Sequence, residues 1–565
     1  MNTEAIIQPV SQHRTSVAST RAAWIIVLLC SLAPWISALD YPFLHDDNWA
    51  VVNNPLVDGK TVDVGRIFSS TGWGDIPEYR HVANYRPLSV TSLALTRKVG
   101  GLNPLPFRIT NALLYTFMCL LLLQFLFTCG CTPLAATLAG AWFAFHGTHV
   151  ETVMFVVNRE IMLATIFYLI GMIMVVRRSN LAANPTAFSK SSLAALGLVT
   201  LAGLLSKESA VTMPFTAATI LIFAAPQGMK MLSRLKPVAV LFGSTVVYFI
   251  IRFAGLGKMS AAAIPWQDNP LVLADTPARL AGAMKVLVES TRLLLAPVNP
   301  TVDYGFDVLG LPGPPPGAPV AAIAGGAAIL VGTVILVVFL MRRRSAAWPG
   351  LMMMMMAYGL VSSIVFPSWI IMGERLLTEP SAGLAAALAV GLTAVAPQTD
   401  TSTGRRWFGW GLISLFVVWI GLQAVVTFDR VGDFKSAEKL FESSLANRPG
   451  STRLQNNLGH ALMNSGRWAE AEPHLLAAIA IDPANAEAHN NLGLVIANAG
   501  RPAAAAAEFT EALKHRPGMI SALTNICILL VNHEDYQSAL PYCRQAQQRG
   551  ALVDKEIQKL KEVGL

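Results

Sequence analysis

Two adjacent carboxylates, Asp46 and Asp47, stand just beyond the first long apolar run of this chain, and cationic side chains recur at the edges of later apolar runs. They fall in Tyr85-Arg86-Pro87, Asn158-Arg159-Glu160, Ser206-Lys207-Glu208 and Gly373-Glu374-Arg375, with His146, His149 and Glu151 close by. A charge at a membrane edge is costly unless it has a task or a partner. A carboxylate can take the proton of an attacking hydroxyl while guanidinium and ammonium groups stabilise a departing phosphate. A carboxylate pair facing Arg86, Arg159, Lys207 and Arg375 therefore suits a site that binds a lipid-linked phosphate. Each signal alone is weak, because paired charges at a helix end are usually solvated caps or structural ion pairs; their convergence on one face carries the reading. Either aspartate could be the base, Asp47 being preferred, and adjacent side chains splay apart on an extended or helical backbone, so the two do not aim at one atom. The imidazoles of His146 and His149, at i and i+3, share a helix face, which admits a metal; hydrogen-bonded residues shaping a cavity are the preferred alternative.

The elements that must hold these groups are mostly membrane-embedded. Of the 565 residues, 53% are hydrophobic and 13% charged, against roughly 25% charged in soluble domains. Apolar runs predict about eleven spans, near 22–39, 111–129, 133–147, 160–176, 191–206, 210–225, 237–253, 319–341, 349–366, 378–396 and 407–427. The first is read as a retained span, because the charged segment LDYPFLHDD follows it and no small-residue cleavage site does. Arg177/Arg178, Lys230/Arg234/Lys236, Arg342/Arg343/Arg344 and Arg405/Arg406 recur on one side of that topology, which should be the cytoplasm. The segment 279–297 carries Lys285, Glu289 and Arg292 as one polar stripe, so it should lie along the outer interface and not cross. The loop 40–110 and everything after the last span then lie outside the cytoplasm. The net charge of +8 sits in short clusters flanking apolar runs and not on a continuous basic face, which argues against nucleic acid as a partner. The six cysteines give no metal spacing and no small-domain disulfide framework. Cys527 and Cys543 are the exception: they fall on two helices of one hairpin and could either pair in an oxidising compartment or fill the core.

After about residue 428 the composition becomes that of a soluble helical domain with a 34-residue period. Pro449, Pro483 and Pro517 keep that step, as do Asn457-Leu458-Gly459, Asn491-Leu492-Gly493 and Asn525-Ile526-Cys527, and Gly466 with Gly500. This is the signature of tetratricopeptide (TPR) repeats, about three of them, preceded by an extra helix at 434–447. Such an array presents a groove to peptides or partner proteins; a spacer or an oligomerisation module is the plainer reading.

The residues also resemble a known family, the GT-C membrane glycosyltransferases with a C-terminal TPR array, which include the animal transmembrane and TPR-containing O-mannosyltransferases and bacterial relatives. The resemblance runs nearly end to end. It is carried by Phe43-Leu44-His45-Asp46-Asp47 leading to Asn54-Pro55, by Asn84-Tyr85-Arg86-Pro87-Leu88 with Gly101-Leu102-Asn103-Pro104, by His146 to Glu151, by Leu205-Ser206-Lys207-Glu208, and by Glu374-Arg375-Leu376 through Pro380-Ser381. Where relatives read Gly-Arg-x-Asp, this chain reads Asn158-Arg159-Glu160-Ile161, so that acid is absent or shifted by one residue, and His45 stands in place of a tyrosine. A one-residue shift turns a helical side chain by about 100°. The resemblance implies an all-α, GT-C-type membrane bundle followed by a TPR α-solenoid, and transfer of a sugar from a polyprenyl-phosphate-linked donor on the non-cytoplasmic face. Asp46 and Asp47 would be catalytic and Arg86, Arg159, Lys207 and Arg375 would bind the donor phosphate. His45, Tyr85, His146, His149, Glu151, Glu208 and Glu374 would support them. No cofactor and no metal are expected. The expected layout is a cytoplasmic N-terminus 1–21, a transferase domain 22–427 and a periplasmic TPR domain 428–565 in a bacterial inner membrane. The acceptor is expected to be Ser or Thr of an exported protein guided by the TPR groove, with membrane lipid around the bundle. A non-catalytic TPR scaffold and a lipid-linked glycan transporter are the rival classes; the second is disfavoured by polar groups gathered at one face with no inverted repeat.

Overall fold

The computed structural model describes residues 17–74, 84–179, 188–224, 231–257, 264, 269–305, 320–343, 345–365, 367–396 and 403–565. The described residues form helices and connecting loops without a strand, and the chain divides into two compact units. Part of the predicted cytoplasmic tail 1–21 lies outside the described residues, as do Lys230 and Arg344 of the expected basic loops.

The first unit runs to Lys435, apart from the short segments that join the second. Helices occupy all eleven segments expected to span, and seven of them are long and apolar enough to cross a membrane: Val17–Ala38, Pro104–Thr128, Val156–Val176, Arg234–Leu256, Val320–Arg342, Glu374–Val395 and Thr403–Asp433. This makes the chain a multi-pass membrane protein. The other four, Pro133–Ala144, Lys190–Ser206, Glu208–Phe223 and Trp348–Val361, are 10–17 residues long, short of the roughly 20 that cross a hydrocarbon core of about 30 Å. The count of eleven therefore does not follow from length and composition alone. The helix Thr276–Leu295, bearing Lys285, Glu289 and Arg292, is not among the seven.

Local chemistry sets the helix ends. Asn103 and Thr132 accept hydrogen bonds from the first-turn amides of Leu105 and Ala135, with Pro104 and Pro133 at the first helical positions. Helices Trp348–Val361 and Thr378–Val395 meet backbone to backbone at Gly350 and Gly383, where an added Cβ would come within 2.6 Å and 2.5 Å of the facing glycine's carbonyl oxygen. Small residues permit this approach, on which apolar helices rely because lipid provides no hydrophobic drive for them to associate.

The second unit comprises Ser436–Leu565 together with loop residues that include Thr301–Tyr304. Helix Ala437–Asn447 precedes three hairpins, Thr452–Asn464 with Trp468–Ile481, Ala486–Asn498 with Pro502–His515, and Ile520–Asn532 with Tyr536–Gln548, closed by Asp554–Glu562. Side chains of Ser436, Ser451, Asn485 and Asp535 cap helix starts, and Pro483 and Pro517 each follow a helix end, where proline cannot continue the helix. Gly493 lets the paired helices close, since a Cβ there would lie 2.6 Å from the Phe509 ring. Cys527 and Cys543 form a disulfide across the third hairpin, with their Cα atoms 5.0 Å apart. In the same unit, Asp303 accepts a hydrogen bond from the Ser451 hydroxyl at 2.8 Å and pairs with Arg453 at 3.4 Å.

Candidate functional site

The acidic motif sits in a tight turn. The Asp47 amide donates to the Leu44 carbonyl at 2.9 Å, and His45 holds a positive φ of 44°, a conformation that non-glycine residues rarely adopt and that recurs at functional sites. The backbone then passes into a π-type turn over Asn48–Val52. Helical geometry from Asp46 onward sends the two carboxylates in different directions. Asp47 points inward and is 0% exposed. Its Oδ1 accepts from the Val157 amide at 3.1 Å, and Oδ2 has no hydrogen bond and lies 3.9 Å from the Arg108 guanidinium. Burial pushes its carboxyl up to about 7, against the pull of Arg108 and the Val157 amide. Arg108 is itself held by the carbonyls of Tyr41, Pro42 and Met154. Asp46 points the other way: its side chain is 35% exposed, 3.4 Å from His45 Nε2 and within electrostatic reach of Arg375.

Three of the four expected cations meet in one network. Arg86 donates through Nη1 to both oxygens of Glu160, at 2.6 and 2.5 Å, and through Nε to Glu208 at 3.0 Å. Lys207 lies 3.5 Å from Glu160. The Arg375 guanidinium and amide both donate to Glu151. Burial would weaken the Arg86 charge, but Glu160 and Glu208 hold it above its ordinary value; Lys207 is held below its own by burial, with Glu160 opposing. Tyr85 is enclosed, its amide donating to Glu208 at 3.1 Å and its hydroxyl to the Phe68 carbonyl at 2.8 Å. A small cleft beside Arg86 and Glu160 is lined also by Asn84, Ser89 and Trp73.

Arg159 does not join them. It is fully buried and donates to Asn111, to Ser92 and Thr96, and to the Phe107 carbonyl, all neutral acceptors. His146 and His149 are also enclosed. The ring nitrogens of His146 contact Thr148 at 2.8 Å and the Leu294 carbonyl at 2.9 Å, and those of His149 contact Tyr115 and Ser381, each at 2.8 Å. With both nitrogens of each ring engaged, the histidines tie the segment that follows Pro133–Ala144 to Leu294, Tyr115 and Ser381. Glu374 is buried in the short helical turn that carries Arg375.

The network also contains residues that the sequence reading left out of the site. Glu160 is its central carboxylate. Glu379 accepts from Ser209 at 2.7 Å, and Arg252 reaches Glu208 at 3.3 Å. A sequence signal existed for Arg252, a charge in the apolar stretch that follows Arg234 and Lys236 in helix Met231–Leu256. Glu160 stood one residue from the position where relatives place an acid.

The tetratricopeptide-repeat family profile matches residues 422–485 and 456–520. Protein O-mannosyl-transferase Tmtc2 of Drosophila melanogaster is 30% identical over 287 residues, 50% of this chain and 30% of that protein. Protein O-mannosyl-transferase TMTC3 of Homo sapiens is 24% identical over 485 residues, 80% of this chain and 50% of that one. The chain resembles the transmembrane and TPR-containing O-mannosyl-transferases. Protein O-mannosyl-transferase F38B6.6 of Caenorhabditis elegans, 24% identical over 79% of this chain and 61% of its own length, adds a third such relative. The chain spans about half the length, or less, of the first two. Among solved structures, Pseudomonas aeruginosa pilF (TM-score 0.21, 22% identity, 32% of this chain and 73% of that one) and the TPR protein YrrB (TM-score 0.20, 20% identity, 40% and 96%) are similar over part of the chain.

Proposed function

We propose that this protein is a membrane glycosyltransferase that moves a sugar from a polyprenyl-phosphate-linked donor to a Ser or Thr hydroxyl of an exported protein on the non-cytoplasmic face. The observation that carries the reading is the position of Asp46, a partly exposed carboxylate held by a strained turn beside a network that includes Arg86, Lys207 and Arg375. Asp46 takes the acceptor proton as the hydroxyl oxygen bonds to the anomeric carbon. The glycosidic C–O bond breaks, and the lipid phosphate leaves with its electron pair, stabilised by Arg86, Lys207 and Arg375. Asp47, enclosed and tied to Val157 and Arg108, holds the turn; Arg159 knits the helices behind it. Tyr85 and Glu208 fix Arg86, Glu151 with Glu374 frames Arg375, His45 flanks the base, and His146 and His149 brace the wall.

Chain parity supports the topology. Arg86 and Glu160 are separated by Pro104–Thr128 and Pro133–Ala144, Glu160 and Lys207 by Arg159–Val176 and Lys190–Ser206, and Glu208 and Arg252 by most of the next two helices. Groups that meet at one membrane face need an even number of crossings between them, so this reading counts the first three short helices as spans, and the Glu151–Arg375 pair asks the same of Trp348–Val361. With Thr276–Leu295 uncounted, that reading would give eleven spans, return the chain after Asp433 to the face of the site, and put the N-terminus on the opposite face, the cytoplasmic one in this proposal. The Cys527–Cys543 disulfide supports the same placement of the TPR unit, because cytosolic thiols stay reduced. By analogy with its relatives the TPR groove would guide a protein acceptor. The test is a glycoproteomic comparison of membranes from cells with the wild type and with Asp46→Asn at matched levels. Loss of one glycan from an exported protein supports transfer; an unchanged glycan profile favours a TPR scaffold.

A further inference from the structure

Resting on the donor reading above, we infer that the cleft beside Arg86 and Glu160 is the sugar subsite of the donor lipid, in which Asn84, Ser89 and Glu160 read the hydroxyls along one edge of the ring. Two of these groups have bonding capacity that the protein leaves unused. Ser89, in the first turn of helix Pro87–Gly100, is 3% exposed and lines the cleft, and its hydroxyl has no hydrogen-bond partner among the described residues. A buried hydroxyl in that condition costs stability unless a ligand or water takes it up. Asn84 gives its side-chain oxygen to the Gly72 amide at 3.0 Å, which leaves its Nδ2 hydrogens for a ligand. Glycine is required opposite, because a Cβ on Gly72 would stand 3.2 Å from that side-chain amide. Glu160 is the third group: Arg86 Nη1 donates to both of its oxygens, and each oxygen keeps a lone pair for a further donor.

This set of groups selects a sugar over the other parts of the donor. A phosphodiester only accepts hydrogen bonds and would face the Glu160 carboxylate, and a polyprenyl tail would leave all three polar groups unmet. A ring hydroxyl donates to Glu160 and accepts from Asn84, and the Ser89 hydroxyl does either. Much of the remaining lining is apolar. Ala50, Val90 and Leu93 belong to one packed cluster against which Trp73 also lies, a surface for the C–H face of a ring. With its open mouth the cleft offers about 280 Å³, which admits the edge of one ring and not a chain of sugars. Its place fits transfer. Arg86 is shared with the cations that would hold the phosphate, Ala50 belongs to the turn Asn48–Val52 just after the two aspartates, and Val157, also in the lining, is the residue whose amide holds Asp47. A sugar held here would border both the phosphate cation and the acidic turn.

The test uses the full chain in lipid nanodiscs, with binding measured by native mass spectrometry. The probes are polyprenyl-phosphate mannose, glucose and galactose, and polyprenyl monophosphate without a sugar. Wild type should bind at least one of the sugar-bearing lipids about tenfold or more tightly than the bare lipid phosphate. Ser89→Ala removes a hydroxyl that bonds to nothing in the protein, so folding should be unaffected; it should cut that preference about two- to tenfold, the effect of one hydrogen bond, while binding of the bare lipid phosphate holds within about twofold. Asn84→Ala should cut the preference by a similar factor. Ser89→Thr keeps the hydroxyl and should retain most of the preference, whereas Ser89→Leu fills the cleft and should abolish it. Wild type showing no preference for any sugar-bearing lipid, or a preference that Ser89→Ala and Asn84→Ala leave unchanged, overturns the inference while the donor-phosphate reading stands. Failure of the wild type to bind either kind of lipid overturns both.

Discussion

Asp47→Asn separates the two aspartates by their response to pH. Asp47 is wholly enclosed and burial pushes its carboxyl up to about 7, whereas in the unfolded chain it titrates near 3.8. Between those values the folded protein binds one more proton than the unfolded chain. Stability therefore falls as pH rises through this window, and the loss is complete above the folded value. At about 1.4 kcal/mol per pH unit the whole window is worth roughly 4 kcal/mol, of which roughly 3 kcal/mol is lost between pH 5 and pH 8. Asparagine keeps an oxygen for the Val157 amide and carries no charge, so the variant should lack the slope. The assay is thermal unfolding of the full chain in detergent at pH 5, 6, 7 and 8 and a fixed scan rate. Asp47→Asn should gain on the wild type by about 2–3 °C across that range for a chain of this size. A gap that stays flat, or shrinks as pH rises, would refute the burial argument and put Asp47 back among the candidate bases.

Two further outcomes follow from the second unit. Gly493→Ala should destabilise the TPR array by roughly 1–3 kcal/mol, since its Cβ has to displace the Phe509 ring; limited proteolysis of the full chain should then cut within residues 486–515 at lower temperature, and unchanged protection would contradict the close packing. Cys527 and Cys543 should resist maleimide in native membranes until a reductant is added, and Cys527→Ser should cost the array roughly 3 kcal/mol. Two thiols that alkylate without reductant would contradict the placement of this unit in an oxidising compartment.

The TPR array was legible because its signal is periodic: proline and glycine at a 34-residue step fix the hairpins whatever their surroundings, and the helices fall where that step puts them. The extra helix expected at 434–447 occupies Ala437–Asn447. The candidate site was legible as a set of charged motifs, not as a geometry. Arg159 and Glu160 are adjacent, and only the phase of helix Arg159–Val176 decides that the arginine turns to Asn111, Ser92 and Thr96 while the glutamate meets Arg86. The same holds for Asp46 and Asp47, whose directions are set by the turn at His45. Arg252 escaped because its motif is a single residue, and its ion-pair partner Glu208 stands in the turn after another helix. The number of spans was not legible because four helices are too short for their length to decide.

The central claim is that Asp46 is the base of a transferase, and the most direct measurement is release of free polyprenyl monophosphate from a polyprenyl-phosphate-linked sugar by the purified full chain in nanodiscs, with membrane extract of exported proteins as acceptor. Wild type should release the lipid phosphate as the sugar appears on protein, Asp47→Asn should retain a substantial share of that activity, and Asp46→Asn should lose it by about a hundredfold or more while still binding the lipid phosphate. Equal release by Asp46→Asn and wild type would contradict the account.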